Sequence, residues 1–535
     1  NAGTLSVAQL ANNSGQDYGS LGNSSKQIYL NDGATLQTNG VIITDQTLNV
    51  SGEVNIDVPS GKSVIFNKAI KGSGATINKS GAGSMETGTQ TNTYTKLVVK
   101  GGTVVANHSA SYVDMLPRTI EFQNGTVWAS NNENTNITNT SALIVPEGKT
   151  GTFYGGYRST YTGALTGAGT FNVYTGGVRC YFNGNWSNFE GTINIGKNNR
   201  QNKKSYDPSF LFGGANGMPK ATVNVNAKAR LDNQGKNVIV KKLGGTGAVV
   251  GTGTWIIDCD EDFDLTTEVG ITSERSDDYG GTIAVGACNL TKRGAGKMKM
   301  TEGNMYGILT VEGGTVRFYK SKPAVPLNGT KPTLVRNGGR LVGQAILHSL
   351  SLDNGAELMP CASAVTETSP GTITCNNSVT ANAGSVITFL RNASKNSTIN
   401  AASMTMNGTV KVVLLPAYTP KAGAAFTLWT VSGTFSGTPQ FDLPELPAGL
   451  KWDTSEVTAA KGVLRIVEGT GIQNIQQGEN VSVEVVAANG TVVTTYNTTL
   501  AQVKNVFYGQ SLPQGIYVLR IRSEKGITDS ITLKK

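Results

Sequence analysis

Short stretches in which apolar and polar residues alternate occur along most of the chain. Thr192–Ile195 and Val410–Leu414 are two examples. A period of two predicts β-strands that turn one row of side chains inward and the other outward. Glycine or asparagine separates many of these stretches, as expected of sharp corners that often need a positive φ. The pattern predicts an all-β protein of short strands and tight turns.

Two longer segments repeat each other. Ile77–Thr87 reads INKSGAGSMET and is followed by KLVVKGGTVV at Lys96–Val105, while Leu290–Met300 reads LTKRGAGKMKM and is followed by GILTVEGGTV at Gly307–Val316. Each reads as a strand, a Gly-x-Gly corner, a second strand and a Gly-Gly corner. Shorter copies of the glycine corner occur at 165–170 and 243–248. A single coil of this kind cannot bury its own apolar face, so the repeats predict a stacked solenoid of roughly 20 coils.

The repeated segments resemble the autotransporter-associated β-strand repeat, in which a strand ends in K-x-G-x-G-T-L and a G-G-T-L follows. Met85 and Met298 stand where that repeat usually has leucine. The resemblance implies a right-handed parallel β-helix of the pectin-lyase-like kind over residues 1–466. Asn1–Val7 looks like the second half of such a repeat, so we expect the chain to begin in mid-coil with more protein upstream. Residues 410–466 are rich in Trp and Phe and look like the segment that ends many such proteins, which predicts a cap over the last coil.

The pattern changes after Val467–Gly471. Val481–Val493 reads as two strands around an Asn-Gly turn, and Leu512–Ile521 and Ile527–Leu533 read as two further strands. This order resembles the type IX secretion C-terminal sorting domain of the Bacteroidetes. The resemblance implies a small immunoglobulin-like β-sandwich over 467–535, export by the secretion machinery, and a secreted or outer-membrane cell-surface protein. A generic immunoglobulin-like cap is the alternative.

Composition excludes several classes of protein. The chain has 67 glycines among its 535 residues, a larger share than the usual ~7%. They follow no three-residue period, which excludes collagen. The net charge of +9 is scattered rather than clustered, so we expect no nucleic-acid partner, and no apolar stretch is long enough for a membrane helix. The chain has five cysteines, so at least one is unpaired within a single chain. Cys361 and Cys375 could form a disulfide bridge; the alternative is that they are buried thiols, as we expect of the other three.

The chain offers little catalytic chemistry, and we predict no catalytic residue and no cofactor other than calcium. Two histidines lie far apart, outside any nucleophile or zinc motif. Asp258, Asp260, Asp262 and Asp264 alternate, and an extended segment would turn them to one side as oxygen ligands for calcium. A solvated acidic loop is the alternative.

This acidic segment also supports a second function, because calcium-dependent polysaccharide lyases are found among parallel β-helices. Lys292 and Arg293 are one or two coils away and are the candidate bases. The alternative is that they are an outward pair belonging to the repeat itself.

An aromatic segment suggests contact with carbohydrate. The candidate residues are Tyr154, Tyr157, Arg158, Tyr161, Tyr181 and Trp186. Aromatic rows on the flank of a solenoid suit sugar rings, but the same spacing also arises when equivalent positions stack as a ladder inside the core.

The sequence therefore favours a non-catalytic, secreted or cell-surface β-solenoid that acts as an adhesin, a glycan-contacting surface or a spacer for an upstream domain. Its expected partners are a polysaccharide or a surface component of the host or the outer membrane. The alternative is a calcium-dependent polysaccharide lyase, or the C-terminal fragment of one.

Overall fold

The protein is all-β, with 56% of its residues in strands and 2% in helices. The computed structural model describes residues 3–12, 18–88, 90–106, 116–129, 137–156, 158–175, 180–197, 209–227, 229–270, 275–276, 282–283, 286–301, 305–319, 329–363, 365–469, 478–524, 526 and 528–535. The chain divides into two compact units, Asn1–Leu358 with Cys375–Ser378, and Met359–Thr374 with Val379–Lys535.

Parallel sheets form the first unit. The first sheet consists of Thr4–Val7, Thr35–Thr38, Glu53–Asp57, Thr76–Ser80, Lys96–Val99, Thr119–Phe122, Ala142–Val145 and Leu165–Gly167. The second consists of Val41–Thr44, Ser63–Phe66, Ser84–Thr87, Thr103–Ala106, Gly125–Trp128, Thr150–Tyr154, Thr170–Thr175, Thr192–Lys197, Met218–Val225, Val238–Gly245, Thr254–Asp258, Asn289–Arg293, Leu309–Val311, Pro332–Val335, Ala345–Leu347 and Ser349–Leu352. The third consists of Thr138–Asn139, Thr160–Tyr161, Cys180–Phe182, Ser209–Phe212, Arg230–Asp232, Ala248–Val250 and Glu268–Val269.

Smaller groups of strands complete this unit. Phe263–Leu265, Lys297–Thr301, Gly314–Tyr319 and Gly339–Gly343 pair in parallel, as do Gln27–Leu30, Thr47–Val50 and Ile70–Lys71. Tyr18–Gly19 with Gly22–Asn23, and Arg275–Ser276 with Thr282–Ile283, form two-stranded antiparallel ribbons. Paired parallel strands lie one sequence coil apart, as in Ser63–Phe66 beside Ser84–Thr87. This arrangement is consistent with a β-solenoid.

In-register stacking explains the core of the first unit. One inward row of the second sheet consists of Ile42, Val64, Met85, Val104, Val127, Phe153, Val173, Ile195 and Val225, each at most 2% exposed. Each side chain packs between its equivalents on the neighbouring coils, because parallel pairing without a register shift puts the same position above itself. Replacing a buried ring such as that of Phe153 by alanine would cost about 3–5 kcal/mol.

The second unit changes from parallel to antiparallel pairing. Glu357–Pro360 and Thr372–Ala381 span the division between the units, and Val386–Arg391, Thr398–Met406, Thr409–Leu414, Ala425–Val431, Phe435–Ser436, Gln440–Asp442, Leu450–Asp453 and Lys461–Glu468 follow. Lys461–Glu468 lies antiparallel to both Ala425–Val431 and Leu450–Asp453. Trp429 is fully buried and stacks on Phe435 with ring centroids 5.5 Å apart.

The C-terminal segment differs from the expected two-sheet sandwich. In the described residues it has one antiparallel sheet of Asn480–Ala487, Val492–Thr499, Ile516–Ser523 and Thr528–Lys534, a 3₁₀-helix at Leu500–Gln502 and an α-helix at Val503–Gly509. Val503 and Phe507 are four residues apart on the α-helix and both are buried. They pack with Val483 and Leu519, so a helix covers the apolar face that a second sheet was expected to cover.

Candidate functional site

The lysines of the two repeated segments lie inside the first unit. Lys79 is fully buried, between Ile56 and Val99 of the adjacent strands. Its Nζ donates to the carbonyl oxygens of Ser80, Gly81 and Gly101 at 2.8, 2.9 and 3.1 Å. A protonated lysine has three N–H donors, so it can satisfy three carbonyl groups that the glycine corner turns away from water.

Lys292 repeats this arrangement. It is fully buried between Ile257 and Val311. Its Nζ donates to the carbonyl oxygens of Cys259 at 3.1 Å and Gly294 at 2.8 Å, and also to that of Arg293. We call the two arrangements the Lys79 corner and the Lys292 corner. The glycines that follow the two lysines by two positions have φ of +71° and +72°, a conformation that a side chain would strain.

The interpretation of Lys292 and Arg293 as an outward pair is therefore wrong for Lys292. Only Arg293 points outward, and its Nε donates to Glu312 at 2.7 Å. The amine of Lys292 is enclosed by carbonyl groups, and burial lowers its pKa. In this position it has no access to the proton of a substrate, so Lys292 is not placed as the base of a lyase.

The acidic segment holds the Lys292 corner from outside. Asp260 accepts a hydrogen bond from the backbone N–H of Ala295 at 2.7 Å. Asp262 accepts one from the backbone N–H of Lys297 at 2.8 Å and pairs with the Nζ of the same lysine at 2.7 Å. Asp264 lies 3.7 Å from the Nζ of Lys299. We call Asp260 and Asp262 the acidic latch, because both tie their loop to the corner of the next coil.

The acidic segment is the predicted calcium site. Within the described ranges, no three His, Cys, Asp or Glu side chains converge as a metal would require. Asp258 is exposed at the end of its strand, and the other three aspartates face separate partners. Calcium binding by Asp258, Asp260, Asp262 and Asp264 stays an untested prediction.

A shallow groove of about 470 Å³ runs beside the same segment, lined by Glu190, Pro219, Lys220, Lys241, Asp258, Cys259, Asp260 and Glu261. Several of the charged side chains at this groove form ion pairs with each other. Lys220 pairs with Glu190 at 2.6 Å, while Lys241 and Lys242 both bind Glu261. Hydrogen bonds from the two lysines lower the pKa of Glu261 to about 2. The groove therefore brings lysines and carboxylates together as paired groups.

The candidate aromatic residues do not form one patch. Tyr161 and Trp186, at 3% and 1% exposure, belong to the core, so they cannot contact a ligand. Tyr161 stacks on Phe182 at 4.9 Å, as in the core ladder that was the alternative interpretation. The other four candidates are Tyr154 and Tyr181, half-buried on different sheets, Arg158, exposed at a turn with φ +49°, and Tyr157, outside the described residues.

A different outward surface was missed by sequence reasoning. Asn172, Asn194 and Asn224 stack on successive strands of the second sheet, with amide hydrogen bonds of 2.9 and 3.0 Å between neighbours. Beside them, Tyr154 stacks on Trp128 at 4.0 Å and on Tyr174 at 4.7 Å. The signal was the recurrence of Asn at the equivalent position of three successive strands.

All five cysteines are buried with free thiols, so Cys361 and Cys375 are not bridged. Burial raises the pKa of Cys288 and of Cys375 to about 12 in each case. Because the thiolate is the reactive form, these two groups are poor nucleophiles at neutral pH.

Parallel sheets with buried corner lysines define the first unit as an all-β stacked structure, and the C-terminal segment has a recognisable family. Residues 469–534 match the secretion system C-terminal sorting domain. The match indicates a secreted or cell-surface protein that interacts with a secretion machinery. No curated protein matches the chain. Among the residues described, no helix is both long and apolar enough to cross a membrane.

Proposed function

We propose that the protein is a non-catalytic surface solenoid, exported through its C-terminal sorting domain, whose outer face acts as an adhesive or glycan-contacting surface or as a spacer. The observation that carries the proposal is the enclosure of Lys292. Lys292, a candidate base in the sequence, donates to the carbonyl groups of the Lys292 corner instead. Asp260 and Asp262 accept hydrogen bonds from the backbone of the same corner.

The proposed architecture is a right-handed parallel β-helix of autotransporter-type repeats over residues 1–466, ending in a cap at 410–466, with the sorting domain at 467–535. The parallel pairing of strands one coil apart supports the helix. The antiparallel strand Lys461–Glu468 supports the cap, because a strand of opposite direction ends the parallel series.

The export part of the proposal is tested in a bacterium with a type IX secretion system. We expect the full chain to be accessible to added protease on intact cells or to be found in the medium. A chain lacking 469–535 should stay inside the outer membrane. Equal export of both chains would contradict the role of the sorting domain.

The non-catalytic part is tested by incubating the purified chain with polygalacturonate and calcium and following the absorbance of unsaturated products. We expect no product. Product formation that Lys292→Met abolishes, in a variant that remains folded by circular dichroism, would establish the lyase alternative and overturn the proposal.

A further inference from the structure

The outward surface of the second sheet is a regular array of uncharged polar groups. It consists of Thr150, Thr170, Thr192 and Thr222 in one row, Thr152, Asn172, Asn194 and Asn224 in the next, and Tyr154 and Tyr174 in a third. We call this surface the Thr-Asn face. Its rows run across the strands, with about 4.8 Å between neighbouring strands, so four strands cover roughly 14 Å.

The asparagine row is pre-organised for binding. Asn194 donates to Asn172, and Asn224 donates to Asn194, which fixes the orientation of the amides. Each amide nitrogen has two N–H groups and each amide oxygen two lone pairs, so the ladder bonds use only part of this capacity. Fixed donors and acceptors lose little conformational entropy when a ligand binds.

The aromatic row forms a rigid wall beside the amides. The half-buried rings of Tyr154 and Tyr174 stack at an interplanar angle of 14°, and the buried ring of Trp128 supports Tyr154 from behind at 10°. The row ends at Gly196, where a Cβ atom would lie 2.7 Å from the ring of Tyr174. The absence of a side chain there lets the last ring lie against the backbone, so the wall is built into the coil sequence.

Charge decides the class of ligand. The three rows contain no ionisable group other than the two tyrosine hydroxyls, and the threonine row meets its first charge at Lys242 on the next strand. Glu190 and Lys220 border this face but pair with each other at 2.6 Å, so an anionic polymer would lose hydration there without gaining an unpaired counter-charge. A neutral polymer with hydroxyl groups at regular intervals matches both the lack of charge and the repeated donors and acceptors.

We infer that the Thr-Asn face binds an extended, neutral polysaccharide that lies along the rows. The inference rests on the proposed function, because it names the ligand class of a glycan-contacting surface. The sugar hydroxyls bond to the threonine and asparagine rows, and the edge of the sugar chain contacts the aromatic wall.

The test uses the full purified chain in affinity electrophoresis with hydroxyethylcellulose or polygalacturonate, and in sedimentation with insoluble cellulose and chitin. We expect retention by at least one neutral polymer and none by polygalacturonate. Asn194→Asp, which puts a charge into the ladder, should lower retention at least fivefold. Thr192→Val keeps the shape of the side chain but removes the hydroxyl, and should lower retention about twofold or more.

The matched control is Asn55→Asp, the same change at a half-buried position on the first sheet, and it should leave retention unchanged. Thermal unfolding of each variant shows whether the fold is kept. Absence of retention by every neutral polymer, retention by polygalacturonate alone, or retention indifferent to both face variants would overturn the inference. Any of these outcomes leaves the export and product assays of the proposed function unaffected.

Discussion

The Lys79 corner and the Lys292 corner have similar interiors, which differ in the third carbonyl acceptor, and they have different exteriors. Inside, each lysine lies between an isoleucine and a valine and donates to backbone carbonyls. Outside, the backbone N–H of Ser84 is bound by the carbonyl of Lys62, whereas the equivalent N–H of Lys297 is bound by the carboxylate of Asp262. The comparison separates what the corner requires from what a neighbouring coil adds.

The largest expected effect comes from removing either interior lysine. Lys79→Met or Lys292→Met keeps the length of the side chain but leaves buried carbonyls without donors, which should cost about 2–3 kcal/mol. Denaturant midpoints and amide exchange of the flanking strands measure the loss. Lys100→Met, at an exposed position, is the control and should stay within about 0.5 kcal/mol of the parent. Equal stability of the Lys79→Met and Lys100→Met chains would refute the structural role of the corner.

A second effect of Lys79 is expected from pH. Burial lowers the pKa of Lys79 from 10.5 to about 8, so the folded chain releases this proton before the unfolded chain does. The contribution of Lys79 to stability is therefore complete above pH 10.5 and declines as the pH falls toward about 8. The difference in unfolding free energy between the parent and Lys79→Met should widen with rising pH across this window. A constant difference would mean that the lysine keeps its ordinary pKa in the fold.

The acidic latch should matter at the Lys292 corner only. Asp262→Ala removes an acceptor from the N–H of Lys297 and an exposed ion pair, which should cost about 1 kcal/mol. Amide exchange at Lys297 should accelerate, while exchange at Ser84 should not change. Asp264→Ala is the control, because its lysine lies 3.7 Å away and the carboxylate is exposed. A loss as large as that of Lys292→Met would contradict this ranking and show that the latch supports the corner as strongly as the lysine does.

The sequence was a good guide to strands and corners because alternation and glycine act locally. It misjudged Lys292 because the charge of the side chain was taken to place it outward, although the alternation along the strand places it inward. The residue is two positions from Leu290 and therefore on the same inward side of the strand, and the following Gly-x-Gly turn supplies the carbonyls that make burial tolerable. In a stacked strand, the alternation along the strand decides whether a lysine side chain points inward when backbone acceptors lie within its reach.

The aromatic residues were harder to assign for a different reason. Tyr154 and Tyr161 are seven residues apart, yet one lies on the outward face of the second sheet and the other inside the third. A corner lies between them, and the sequence does not show how that corner changes which residues of the next strand point inward. The helix at Val503–Gly509 was missed similarly, because the apolar pair Val503 and Phe507 is too short a signal to distinguish from a strand.

The smallest expected effect concerns Glu261, which lies beside the acidic latch and has no counterpart at the Lys79 corner. Hydrogen bonds from Lys242 and Lys241 lower its pKa from 4.5 to about 2. Its contribution to stability is therefore present above pH 4.5 and is lost as the pH falls toward about 2. Because the carboxylate is exposed and salt screens it, Glu261→Gln should change the midpoint only slightly at pH 7, and less in high salt. Thermal unfolding of the parent and Glu261→Gln should converge as the pH falls to about 2 if the lysine pairs matter, whereas a difference that persists there would assign the effect to the shape of the side chain instead.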